Sequence, residues 1–297
     1  MDGELPVIDS LWDYNKPAES EQRFTEVLDE AEKSGNMDYY IQLLTQLARS
    51  QGLQKKFDEA HANLDKAEKL LEENEGSANL DTARIRYLLE RGRAFNSSGV
   101  KDKARAFFLE AFEFGKDKEL DNLTIDAAHM MGIVEPPDEA LEWNVRAIKM
   151  AEDTKDEKAK KWLGSLYNNT GWTYHDMGDY DTALDYFERN VVWHTERNTG
   201  QGLRIAKWCV GRTYRSLGRI EEALGIQEAL LKEIIDNNIE QDGYVYEEIG
   251  ECLLLLGREE ESVQHFKKAY EFLSQDIWLK DNEKERIERL KKLGKVE

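Results

Sequence analysis

Apolar and polar positions in GWTYHDMGDYDTALDYFERN, residues 171–190, read as two amphipathic helix fragments meeting at Gly178. The second fragment pairs a small residue, Ala183, with a bulky one four positions on, Phe187. The same pairing occurs at Ser20/Phe24, Ala60/Leu64, Ala104/Phe108 and Ser262/Phe266, while Ala140/Asn144 and Ala223/Gln227 keep only the small residue. The small residues are 40, 44, 36, 43, 40 and 39 positions apart, so the chain repeats with a period near 40. Gly171-Trp172-Thr173-Tyr174 likewise matches Gly92-Arg93-Ala94-Phe95, Gly211-Arg212-Thr213-Tyr214 and Gly250-Glu251-Cys252-Leu253. Four residues beyond each stands a glycine suited to stop a helix: Gly99, Gly178, Gly218 and Gly257.

This is the pattern of stacked helix-turn-helix units. The first glycine removes a side chain so that the small residue of the second helix can approach, and the aromatic residue three positions on lies on the same helical face and fills the gap beside it. The layout predicts a lone helix from about 17 to 34, six helix pairs, and a closing helix from about 281 to 294. Pro136 and Pro137 should start the second helix of the third pair. The joints at 34–36, 73–79, 196–202 and 235–243 are rich in Asn, Asp and Gly, as caps and turns require.

Tyr167-x2-Thr170-Gly171-x2-Tyr174 followed by Ala183-x3-Phe187 resembles the tetratricopeptide repeat pattern. The resemblance spans about residues 17 to 275. The period exceeds the usual 34 residues and the closing proline is missing, so the repeats look like the extended ones of LGN/Pins-type and kinesin-light-chain-type proteins. It implies an all-α fold, a right-handed α-solenoid of antiparallel helix pairs. Its expected parts are an N-terminal extension (1–16), the repeat solenoid (17–275) and a C-terminal capping helix (276–297).

Composition narrows the function. The 297 residues carry a formal net charge of −20. Such a field repels phosphate backbones and anionic lipid surfaces, so nucleic acid and membrane insertion are not expected. No apolar run approaches the roughly 18 residues of a membrane span. The start lacks the basic and apolar regions of a secretory signal, and Cys209 and Cys252 are too few for a disulfide scaffold or a zinc site. A cytoplasmic protein without cofactor is expected.

His175, Asp176 and Asp179 could suggest a metal, but the other histidines belong to other repeats and no H-E-x-x-H occurs. No catalytic or metal site is expected. The sharpest local feature is the helix around Trp208. From Gly202 to Ile220 it holds Arg204, Lys207, Arg212, Arg215 and Arg219 and no acid. Arg204, Trp208, Arg212 and Arg215 form one stripe, beside which the preceding helix should bring Asn168, Trp172 and His175. In the family the positions of Trp172 and Trp208 face the concave groove. The lysine–asparagine carboxylate clamp of some relatives is not reproduced, because the clamp position reads Thr45, Leu89, His129, Asn168, Trp208 and Glu247. The expected function is a non-enzymatic adaptor. Asn168, Trp172, His175, Arg204, Lys207, Trp208, Arg212 and Arg215 would bind an acidic peptide or protein segment with an aromatic or aliphatic anchor. The competing expectations are a homo-oligomeric assembly element, and arginines paired internally with Glu247, Glu248 and Glu251.

Overall fold

The computed structural model describes residues 5–75 and 79–297. The helices are α1 (Pro17–Lys33), α2 (Met37–Leu53), α3 (Phe57–Glu73), α4 (Asp81–Ser97), α5 (Lys101–Asp117), α6 (Asp121–Val134) and α7 (Pro137–Asp153). They continue with α8 (Glu157–Lys160), α9 (Trp162–Asp176), α10 (Tyr180–Glu196), α11 (Gly200–Ser216), α12 (Ile220–Asp236), α13 (Gly243–Leu255), α14 (Glu259–Leu273), α15 (Ile277–Asn282) and α16 (Lys284–Leu293). The lone helix and six pairs are therefore present, with the first helix of the fourth pair divided into α8 and α9. The expected capping helix is two helices, α15 and α16, because Asp276 caps a short turn first. Part of the 73–79 joint lies outside the described residues. The chain divides into two compact units, Met1–Trp162 and Leu163–Glu297.

Turn chemistry ends the helices where the sequence indicates. Gly99, Gly178, Gly218 and Gly257 all have positive φ, the left-handed conformation that costs glycine least. Asp179 caps α10, its carboxylate accepting the Thr182 N–H at 3.2 Å. Asp176 is exposed, so Asp176 and Asp179 stand at the turn between α9 and α10. Pro137 opens α7 at its first turn.

The packing differs in one respect from expectation. A Cβ built on Gly171 would meet the ring of Phe187 at 2.6 Å, so the bulky residue, not the small one, fills the space that glycine leaves. Phe108 does the same over Gly92. Where the bulky residue is missing, a long amide replaces it: Asn144 lies over Gly132, and Gln227 over Gly211. Ala183 and Phe187 are both fully buried. Burying one phenyl side chain stabilises by about 1.5–3 kcal/mol, so the small-x3-Phe pairs at Ser20/Phe24, Ala104/Phe108, Ala183/Phe187 and Ser262/Phe266 are a main source of cohesion.

First helices of successive repeats also pack on one another, α2 on α4 in unit 1 and α11 on α13 in unit 2. Within each unit they form a common layer.

Candidate functional site

In unit 2 the first-helix layer carries a run of aromatic rings. Trp172 on α9 lies 6.0 Å from Trp208 on α11, and Trp208 lies 6.1 Å, edge-on, from Tyr244 on α13. Trp172 also touches Phe187 and His175, so the repeat's core fixes the first ring. Asn168 is partly buried below and accepts from Cys209 Sγ at 3.5 Å. The sequence thus places Asn168, Trp172, His175 and Trp208 together correctly. It missed Tyr244, which stands six positions before Gly250 as Ile205 stands six before Gly211.

The basic stripe divides. Arg215 Nε and NH2 donate to the two oxygens of Glu248 on α13 at 2.7 and 2.8 Å, and Arg212 Nε lies 3.2 Å from the same carboxylate. Glu248 is only 5% exposed, so this is a largely desolvated, charge-assisted bond set. Arg212 also donates to Ser216 Oγ at 2.6 Å, and Ser216 lies 3.0 Å from His175 Nε2. Farther along, Arg286 of α16 pairs with Glu247 at 2.5 Å and Arg289 pairs with Glu251. An open electropositive wall at Arg212 and Arg215 is therefore corrected to an ion-pair lattice joining α11, α13 and α16. The acids that neutralise it lie a repeat away, across the stack.

Arg204 and Lys207 take a different partner, Glu233 of α12, at 3.8 and 3.4 Å. Lys207 faces a depression of about 580 Å³ between α10 and α12, lined by Val191, Val192 and Ile226, and so does not join the Trp208 stripe. Arg204 lines an open cleft of about 910 Å³ with Ile205, Trp208, Ile239, Tyr244 and Phe272. The indole Nε1 of Trp208 is buried and meets no acceptor among the described residues. A buried N–H without an acceptor costs free energy.

The charge is layered. The seven second helices, α1, α3, α5, α7, α10, α12 and α14, together carry a formal net −20, whereas α2, α4, α6, α9, α11 and α13 sum to zero. These first helices therefore present local charges and no net field.

Burial lowers the His175 pKa, with Arg212 adding to the effect against Asp176, so the imidazole is neutral at pH 7. Burial pushes the Cys209 and Cys252 thiols up to about 12, which makes them poor nucleophiles. Among the described residues no group of three or more His, Cys, Asp or Glu could hold a metal ion. No described helix is long and apolar enough to cross a membrane.

A tetratricopeptide repeat family model matches residues 164–189, which fall on α9 and α10. No curated protein matches the sequence. Among solved structures the chain is similar to RapI in its apo form, with TM-score 0.72, 11% identity, and coverage of 91% of this chain and 74% of that one. It is similar to a Signal Transduction ATPase with Numerous Domains that has a tetratricopeptide repeat sensor, from Pyrococcus horikoshii (TM-score 0.71, 15% identity, 93% of this chain). The chain spans only 42% of that protein's length. The repeats of a putative kinesin light chain from Podosopora anserina are also similar (TM-score 0.56, 15% identity, 70% of this chain and 100% of that one). At these identities the likeness is one of fold. Joined to the family match over residues 164–189 and to seven small residues in register, it leads to one conclusion: the chain has the fold of a tetratricopeptide repeat solenoid.

Proposed function

We propose that the chain is a non-catalytic interaction scaffold, and that unit 2 holds a peptide segment of a partner protein in the cleft beside Trp208 and Tyr244. The observation that carries this reading is the buried Trp208 N–H without an acceptor at the border of a wide cleft. Trp172, Trp208 and Tyr244 offer ring faces and edges to an aromatic or aliphatic anchor. Arg204, whose ion pair to Glu233 is long at 3.8 Å, exchanges that partner for a ligand carboxylate. Asn168, His175, Arg212 and Arg215 hold the wall in place from behind. Lys207 tunes Glu233 from the other side.

A peptide library selected on the wild-type protein tests this, the best binder then being titrated against Trp208→Phe, Arg204→Ala and Lys118→Ala. Phenylalanine keeps the ring and removes the N–H, so affinity should fall about 3- to 10-fold for one hydrogen bond. Arg204→Ala should weaken an acidic binder about tenfold. Lys118 serves as a distant control. Equal affinities for all four proteins would refute the site. A second reading, self-association, draws on the apolar depression between α10 and α12. Those helices carry net charges of −3 and −4, so a second copy would meet like charge.

A further inference from the structure

The segment before α1 occupies unit 1 in the manner of a bound ligand. Trp12 stands edge-on to Phe24 of α1, ring centroids 5.1 Å apart, and its Nε1 donates to Gln46 Oε1 of α2 at 2.9 Å. The half repeat lacks a first helix, and Trp12 fills the place over Phe24 that such a helix would cover. Tyr39 Oη donates to the Pro6 carbonyl at 2.8 Å, Arg23 Nε donates to the Leu11 carbonyl at 2.8 Å, and Arg49 lies over the Tyr14 ring. Ile8 is 7% exposed.

Asp9 reaches beyond α2. One carboxylate oxygen accepts from Arg86 of α4 at 3.1 Å, and the other from Lys158 of α8 at 2.7 Å. These cations come from different repeats and meet only at this carboxylate. Burial alone would raise the Asp9 pKa, yet the two cations hold it below its ordinary value. Arg86 is 14% exposed in its side chain, and its Nε is buried and meets no acceptor among the described residues. Asp38, on α2, also lies within its field, but that carboxylate already accepts from the Ala83 N–H and the Gln42 amide. The point where Arg86 and Lys158 converge therefore requires a carboxylate from elsewhere. Asp9 and Lys158 are 48% and 55% exposed in their side chains, and exposed pairs of this kind are weakly held.

We infer that Arg86 and Lys158 form a carboxylate-binding point on the first-helix layer of unit 1, which residues 6–14 fill in cis. A partner segment of the same chemistry displaces them: an acid preceded by an aliphatic residue and followed three positions later by an aromatic one. The pattern is Ile8, Asp9 and Trp12. Linkage in the same chain gives the strap a high effective concentration, so a partner binds weakly until the strap is loosened.

The probe is a fluorescent synthetic peptide of residues 5–16, LPVIDSLWDYNK. It is titrated against the full-length wild type, Asp9→Ala/Trp12→Ala, and that double variant carrying Arg86→Ala. The double variant should bind the peptide at least about tenfold more tightly than the wild type, because the tethered competitor is gone. Arg86→Ala should abolish the gain. A double variant that keeps its helical circular dichroism and gains no binding overturns the inference. Should that variant unfold, hydrogen exchange decides on intact chains: Asp9→Ala should speed exchange in residues 8–12, and excess peptide should do the same to wild type. If the peptide leaves wild-type exchange unchanged, the segment is only a structural cap and the inference fails.

Discussion

Gly171→Ala and Gly225→Ala are the same chemical change inside two helices of unit 2, and they should have opposite signs. Replacing a helix-interior glycine with alanine adds about 1 kcal/mol of helix propensity. At Gly225 nothing lies within 4 Å of the added Cβ, so the gain is kept and stability should rise by roughly 0.5–1 kcal/mol. At Gly171 the added Cβ would meet three Phe187 ring carbons at 2.6, 2.8 and 2.9 Å. Real Cβ contacts this short do not persist, and the ring cannot simply swing away. Phe187 is fully buried and Trp172 stands 5.3 Å from it, edge-on. Overpacking of this kind costs about 1–3 kcal/mol, which exceeds the propensity gain. A net loss of up to about 2 kcal/mol follows, or a drop of several degrees in Tm at roughly 2–5 °C per kcal/mol for a unit of this size. Urea titration followed by circular dichroism and tryptophan fluorescence measures both variants beside wild type. Phe187→Leu should partly rescue Gly171→Ala by vacating the ring's space. If Gly171→Ala stabilises as much as Gly225→Ala, the glycine-and-ring account of this repeat is wrong.

The remaining predictions concern charge, protons and thiols. Arg215→Ala leaves Glu248 to Arg212 alone and should cost about 1–3 kcal/mol in urea unfolding; Arg219→Ala, whose partner Glu222 is exposed, should leave the urea midpoint nearly unchanged. Burial lowers the pKa of all five histidines, His61, His129, His175, His194 and His265, below the ordinary 6.5. The unfolded chain then binds more protons below about pH 6.5, so this stability is fully present above that pH and is lost as pH falls through it. Thermal scans should show a lower Tm at pH 5.5 than at pH 7.5, and a flat profile would refute it. A thiol reagent at pH 8 should leave Cys209 and Cys252 unmodified in the folded protein and titrate both in denaturant, because burial holds both thiols protonated.

The sequence by itself determined the repeat and the turns that end several of its helices, because those depend on neighbours in the chain. The predicted lone helix, 17 to 34, is Pro17–Lys33, and the four stopping glycines adopt positive φ. Pro137 starts α7 as its fixed φ requires. The grouping of Asn168, Trp172, His175 and Trp208 was also legible, since equivalent positions of stacked first helices fall side by side. The sequence offered Glu247, Glu248 and Glu251 as internal partners of the arginines, but it did not decide between that pairing and an open wall. Arg212 and Arg215 meet Glu248 some 33 to 36 positions away, and Arg286 meets Glu247 across 39, distances fixed only when repeats stack. Nor does helical periodicity show that Lys207 leaves the stripe of Trp208 for a depression beside α12. Least legible was the segment before α1, which has no repeat pattern of its own. Asp9 reaches Lys158 across 149 positions because α4 and α8 of unit 1 each bring a cation to the same carboxylate. Local chemistry sets where helices begin and end, whereas charge pairing is settled by which surfaces the stacked repeats bring into reach.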